Sequence, residues 1–201
     1  MREMAAYSPT QIPEPPLARF LFADTRIAWL WLIIRVYVGW EWLNAGWGKL
    51  QNPAWFGASA GSALTGFVNG ALQKTEGAHP DVSGWYCDLP AERGPAECPL
   101  WSNLVTIGEL LVGIGLILGA LTGIAAFFGS VMNANFLLDG AVSTNPLLFI
   151  LGTWLVLAWR TAGWWGLDRW LLPLLGTPWA PGQIAQRNTP PAAEPTQTRP
   201  A

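Results

Sequence analysis

The chain has 201 residues, 51% hydrophobic and only 12% charged, with 14 Trp and 22 Gly, a balance that water-soluble domains of ordinary charge content do not show. A net charge of −2, with the 11 Lys and Arg scattered rather than gathered into a basic run, excludes a nucleic-acid backbone as partner. The solvent that suits this composition is a lipid bilayer.

Residues 1–25 carry Pro13, Pro15, Pro16 and mixed charges, with no apolar segment followed by a small-residue cleavage site, so they read as a flexible tail and not as a signal peptide. From Arg26 to about Trp47 the run IAWLWLIIRVYVGWEWLNAGW is long enough to cross the hydrocarbon, although it contains Arg35 and Glu41. Residues 49–101 are polar and punctuated. Within them GASAGSALTGFVNGALQKTEG predicts one amphipathic helix lying on the outer interface, with Leu64, Phe67, Val68, Ala71 and Leu72 at three and four spacings, followed by a Gly/Pro-rich loop. Three further spans are predicted at about 102–121, 122–139 and 145–162, with links so short that consecutive helices must run antiparallel. Gly115, Gly119 and Gly123 recur every four residues, the spacing at which membrane helices approach closely. Arg160, Trp164, Trp165, Asp168, Arg169 and Trp170 form an inner interfacial belt before a Pro-rich tail from 177 onward. The predicted architecture is all-α: an integral membrane up-down four-helix bundle over 26–176, with an outer amphipathic helix and an inner interfacial C-terminal helix.

Orientation follows the cations. Arg2, Arg19, Arg26, Arg160, Arg169, Arg187 and Arg199 lie in the terminal segments, against Lys49, Lys74 and Arg93 in the first loop, so the termini are expected in the cytoplasm and the 49–101 loop outside the plasma membrane. Cys87 and Cys98 then face an oxidising compartment, where a single structural disulfide is the expected state. They lack CxxC spacing, and Asp88 and Glu97 beside them disfavour a reactive thiolate, which weakens a thiol-oxidase reading. The one histidine, His79, lies in the same loop, so neither a haem nor a metal site is expected at membrane depth.

The strongest functional signal is charge placed where charge is costly: Arg35 and Glu41 in the first span and Glu109 in the second, with Asn133 and Asn135 in the third. At about 1.5 Å per residue these groups fall within one layer, from mid-membrane toward the outer face. Arg35 and Glu41 sit on different sides of their helix, so Arg35 is expected to pair with Glu109, while Glu41 shares a face with Asn44 and opens toward Lys49. A buried ion pair that only fixes helix register is one reading of this layer. The other is a site for a polar head, a quinone carbonyl or a small anion, with Arg35, Glu41 and Glu109 acting and Trp40, Trp42, Asn44, Lys49, Asn133 and Asn135 binding. For the two asparagines, hydrogen bonding between helices is the commoner role.

RVYVGWEWLNAGWGKL at 35–50, GELLVGIGLILGALTGIAAFFG at 108–129, MNANFLLDGAVSTNPLLF at 132–149 and LAWRTAGWWGLDRWLLP at 157–173 together resemble the DoxX/DoxD family of four-helix membrane proteins, over roughly residues 26–179. Arg35, Gly39, Gly46 and Lys49 look like that family's signature in its first helix, Glu109 like its second-helix glutamate, and Arg160, Gly163 and Asp168 like its closing motif. The resemblance implies the membrane subunit of a thiosulfate:quinone oxidoreductase, which oxidises thiosulfate to tetrathionate and passes electrons to membrane quinone. It also implies a second redox subunit, for which the residues after 179 leave too little chain. A non-catalytic anchor for a soluble redox partner is the alternative.

Overall fold

The computed structural model describes residues 14–74 and 98–176, and every regular element among them is helical. His79 and Cys87, and with Cys87 the expected disulfide to Cys98, lie outside the described residues. The elements are α1 (Pro16–Ala23), a 3-10 turn (Thr25–Ile27), α2 (Ala28–Leu50), α3 (Ser62–Gln73), α4 (Cys98–Leu118), α5 (Thr122–Leu138), α6 (Asn145–Leu157), the short α7 (Trp159–Ala162) and α8 (Asp168–Leu174). One stretch, Pro99–Leu118, is by length and composition apolar enough to cross a membrane; α5 and α6 are shorter apolar helices. The 23 residues of α2 are long enough but carry Arg35, Glu41 and Lys49.

Helix α2 lies along α4, α4 along α5, and α5 along α6. All three contacts are antiparallel, because residue numbers rise on one helix as they fall on its neighbour. Gly39 faces Leu116 and Ile117 while Gly46 faces Glu109 and Leu110; Gly108 faces Met132 while Gly115 faces Ala125. The α2 and α4 backbones nearly touch at Gly113, where a Cβ would lie 2.5 Å from the Leu43 nitrogen. Such approach maximises dispersion contact and is open only to a residue without a side chain. Trp31, Val38, Trp42, Val112, Leu116, Ala126 and Leu155 fill the space between the helices.

The predicted Gly115, Gly119 and Gly123 stripe does not form. Helix α4 ends at Leu118 because Gly119 takes a left-handed conformation, φ +66°. The Ala120 N–H then donates to the Gly115 carbonyl and the Gly119 N–H to the Leu116 carbonyl, the paired closure of a Schellman motif. Gly119 therefore sits in the turn and Gly123 on α5 against Trp159. The same closure ends α5, with Gly140 at φ +74° and Ala141 N–H on the Phe136 carbonyl.

Two boundaries correct the sequence reading. Part of the expected tail is helix α1, begun by Pro16, whose missing N–H costs nothing at a first helical position. It is held by the Trp31 indole N–H on the Leu21 carbonyl at 2.7 Å and by Phe22 stacked on Trp31 at 5.8 Å. The expected span over 145–162 breaks at Ala158, from which the chain turns through α7 into the 163–167 segment that α8 follows. The amphipathic stretch does form a helix, α3, and Lys74 just beyond it donates to the Gly140 carbonyl at 3.0 Å.

Candidate functional site

The charged groups do not share one layer. Arg35 and Glu109 belong to two separate clusters: Arg35 packs where α4 ends, whereas Glu109 faces Gly46, eleven residues or ~16 Å further along α2.

Arg35 is 1% exposed and spends its guanidinium on backbone carbonyls: Leu116 at 2.9 Å, Ile117 at 3.5 Å and Trp165 at 3.3 Å. Two of these are in the last turn of α4, where carbonyls have acceptor capacity to spare and the helix dipole favours a cation. A Cβ on Gly119 would collide with this guanidinium, so the glycine serves both the turn and the arginine. Three residues on, Asp168 accepts the first free N–H groups of α5, from Leu121 at 2.5 Å and Thr122 at 2.8 Å. Its own N–H donates to the Gly119 carbonyl at 2.7 Å. Gly163 leaves room for the carboxylate, since a Cβ there would overlap it. Arg35 and Asp168, which attract one another, thus cap the two helix ends that meet at the 119–121 turn. The expected Arg35 to Glu109 pair is absent because α4 carbonyls take the guanidinium first.

Glu109 instead pairs with Lys49, whose ammonium lies 2.8 Å from both carboxylate oxygens. The carboxylate is 1% exposed and the ammonium 20%, so the pair is reachable only from the lysine side. Trp55, in the segment after α2, lies over the ammonium at 5.1 Å and is fixed by the Ser102 hydroxyl donating to its carbonyl at 2.5 Å. Thr106, one turn along α4 and fully buried, donates to the Ser102 carbonyl.

Asn133 lies at about this level on α5. A Cβ on Gly129 would lie 3.0 Å from Val112 and 3.3 Å from the Trp42 indole nitrogen, so that face of α5 looks into the seam between α2 and α4. Asn133 is one turn beyond on the same face, level with Gly108 and Glu109 by the Gly108 to Met132 contact. It is 0% exposed, and neither its Nδ2 nor its Oδ1 has a hydrogen-bond partner. Asn103 Oδ1, further out on α4, is likewise buried and unpartnered.

Of the other candidates, Trp42 is buried against Phe136 at 6.2 Å, and Glu41 is half-buried. Trp40 and Asn44 are exposed on the outer surface of α2, and Asn135 is exposed with its amide donating to the Val131 carbonyl. The structure therefore brings together Lys49 and Glu109, sets Asn133 at about their level on α5, and places Arg35, Trp40, Asn44 and Asn135 elsewhere. Sequence reasoning missed Trp55, Ser102 and Thr106; the i, i+4 spacing of Ser102 and Thr106, leading toward Glu109, was the available signal. Among the described residues no three His, Cys, Asp or Glu side chains gather as metal ligands would.

A family model described as DoxX matches residues 30–138, a little over half of the chain and the whole of the Lys49, Glu109 and Asn133 region. No curated protein and no solved structure matches.

Proposed function

The chain belongs to the DoxX family of membrane proteins, and from that premise we propose that it is the membrane subunit of a quinone-linked sulfur oxidoreductase. In this reading α2, α4, α5 and α6 each span the bilayer, up and down, with the termini cytoplasmic. Outward-facing Ile33, Leu111, Ile114, Phe127, Phe128 and Ile150 are exposed on all four helices, a surface that suits acyl chains and not water. The Lys49–Glu109 pair then lies in the outer half of the membrane.

The observation that carries the proposal is this buried carboxylate paired with a partly exposed ammonium, in a helix seam where insertion of each charge costs ~3 kcal/mol. Two thiosulfate ions joining as tetrathionate release two electrons and no protons. A quinone taking those electrons needs two protons to become quinol, so proton-handling groups must stand at its head. Lys49 donates a proton to the quinone carbonyl and is reprotonated from the aqueous side through its exposed face to supply the second, while the Glu109 carboxylate holds the ammonium in its charged, donating form. The sulfur step belongs to a second subunit, as the DoxD resemblance implies.

The test is thiosulfate-dependent reduction of decylubiquinone by membranes holding the chain and its co-expressed partner, with Glu109→Gln and Lys49→Met compared at matched insertion. Loss of turnover in well-inserted Glu109→Gln supports the reading. No thiosulfate-dependent reduction by the unmutated complex overturns it, and variants that lose only partner assembly leave a membrane scaffold.

A further inference from the structure

The end of the bundle that carries α7 and α8 holds a cleft of about 260 Å³ between the start of α5, the end of α6 and α8. Ile124, Val156, Trp159, Leu172 and Leu175 wall it, with Asp168 at one side. The Asp168 oxygens are already engaged by the Leu121 and Thr122 N–H groups, so the carboxylate is not an open acceptor there. Such walls suit an apolar ligand, because a polar group placed against them would lose its water without gaining a partner. The volume falls short of the ~300 Å³ at which sites for whole small molecules begin, so the cleft takes one part of a long ligand whose remainder lies outside. Ile124 and Leu175, 54% and 61% exposed, stand at its mouth. In a DoxX membrane protein such a mouth opens on lipid, and the long apolar ligand in excess there is an acyl chain.

The charges at this end decide which lipid. Arg26 is held by Asp24 at 2.6 Å and Arg160 by Glu14 at 2.7 Å. Arg19 and Arg169 are exposed and have no carboxylate partner among the described residues, which leaves this end with an excess of positive charge. Arg169 is the cation beside the cleft. Asp168, Leu172 and Leu175 recur at four and three spacings and turn one side of α8 toward it, and Arg169, three residues before Leu172, is their neighbour on the helix surface. Its guanidinium lies 5.1 Å from the centre of the Trp164 ring, an attraction to the ring face that leaves N–H donors for a phosphate. Trp165 and Trp170, 64% and 65% exposed, mark the headgroup level at which a lipid phosphate sits.

We propose that this cleft binds one anionic phospholipid, with an acyl chain along Ile124, Val156 and Leu172 and the phosphate headgroup on Arg169. A zwitterionic lipid fills the cleft equally well, but its own cation offsets the attraction. One arginine at the membrane surface is worth about fivefold in affinity for an anionic headgroup. The site is distinct from the Lys49–Glu109 pair and does not depend on the quinone reading.

The experiment is native mass spectrometry of the full chain in detergent, titrated with dioleoylphosphatidylglycerol and, separately, with dioleoylphosphatidylcholine. The expected result is one tightly held lipid, with the anionic form bound about fivefold more tightly. Arg169→Gln should bring the anionic lipid down to the level of the zwitterionic one, and Arg169→Lys should keep most of the preference. Ile124→Trp, which places a bulky ring in the mouth, should weaken both lipids. Equal affinities in the unmutated chain overturn the proposal, as they would if a second copy or the chain's own C-terminal segment filled the cleft. A preference that survives in Arg169→Gln puts the headgroup elsewhere and overturns its assignment, and full-strength binding to Ile124→Trp overturns the cleft. Should Ile124→Trp fail to fold, Leu175→Glu, at an exposed position on the same mouth, is titrated instead; loss of both lipids is expected, and unchanged binding overturns the cleft.

Discussion

Arg35 and Asp168 cap the two helix ends that meet at the 119–121 turn, and a double-mutant cycle measures how far the two caps depend on one another. Arg35→Met keeps the length of the side chain but removes the donors to the Leu116 and Trp165 carbonyls and leaves Asp168, 0% exposed, without its countercharge. Two hydrogen bonds from a charged donor are together worth ~3–5 kcal/mol. Asp168→Asn takes the charge from the carboxylate that accepts two N–H groups at the start of α5, a loss of ~1.5–3 kcal/mol in hydrogen bonding with up to ~2 kcal/mol more from the helix dipole. Simple addition gives ~5–10 kcal/mol for the pair. Each single variant already includes the penalty of an orphaned charge, so the double variant is expected to fall short of the sum by ~1–3 kcal/mol. Unfolding in mixed detergent and SDS micelles, followed by tryptophan fluorescence, reads all four corners of the cycle. Additive costs, or single variants that lose less than ~1 kcal/mol, would refute the capping argument. So would Arg35→Met that folds fully yet abolishes the proposed quinone reduction per folded molecule, since that would make Arg35 part of the proposed site.

Gly113→Ala is expected to force α2 from α4, because the new methyl would lie 2.5 to 2.8 Å from Leu43 atoms, at ~1–3 kcal/mol. Gly48→Ala, with nothing within 4 Å, should be neutral or stabilising by up to ~1 kcal/mol; the two melting temperatures compared side by side check both. Ser102→Ala removes the 2.5 Å bond that fixes Trp55 and should cost ~0.5–1.5 kcal/mol, with faster amide exchange across 52–61 and faster acylation of Lys49. Asp139 closes α5 outside its helical span, and burial pushes its carboxyl up to about 6 against the opposing pull of Lys74. The folded chain therefore holds that proton more tightly than the unfolded chain does. Its contribution to stability is full below pH 3.8 and is lost as pH rises to about 6, so melting temperature should fall across that window and Asp139→Asn should flatten the fall.

Much of the fold was legible because its signals are local. Apolar runs placed the four main helices to within a few residues, and three-and-four spacing marked the helix at Ser62–Gln73. Gly119 and Gly140 are the stops expected of glycine at a helix C-terminus, yet Gly119 was counted into a packing stripe because its period of four with Gly115 and Gly123 mimics one. Helix α1 was hidden because its prolines and charges look like a tail, and its stability comes from Trp31 and Phe22 across the turn.

The candidate site divides along the same line. That Arg35, Glu109, Lys49 and Asn133 are candidates was readable from the cost of polar groups in an apolar run, a property of composition. Which of them meet was not readable, because depth along a helix does not fix the direction a side chain faces, and a guanidinium finds partners among backbone carbonyls that no sequence pattern displays. Helix and turn positions came from the order of residues. Arg35 on the end of α4, Asp168 on the start of α5 and Glu109 on Lys49 were decided by tertiary packing, because each joins segments 46 to 82 residues apart whose registry exists only once the helices are side by side.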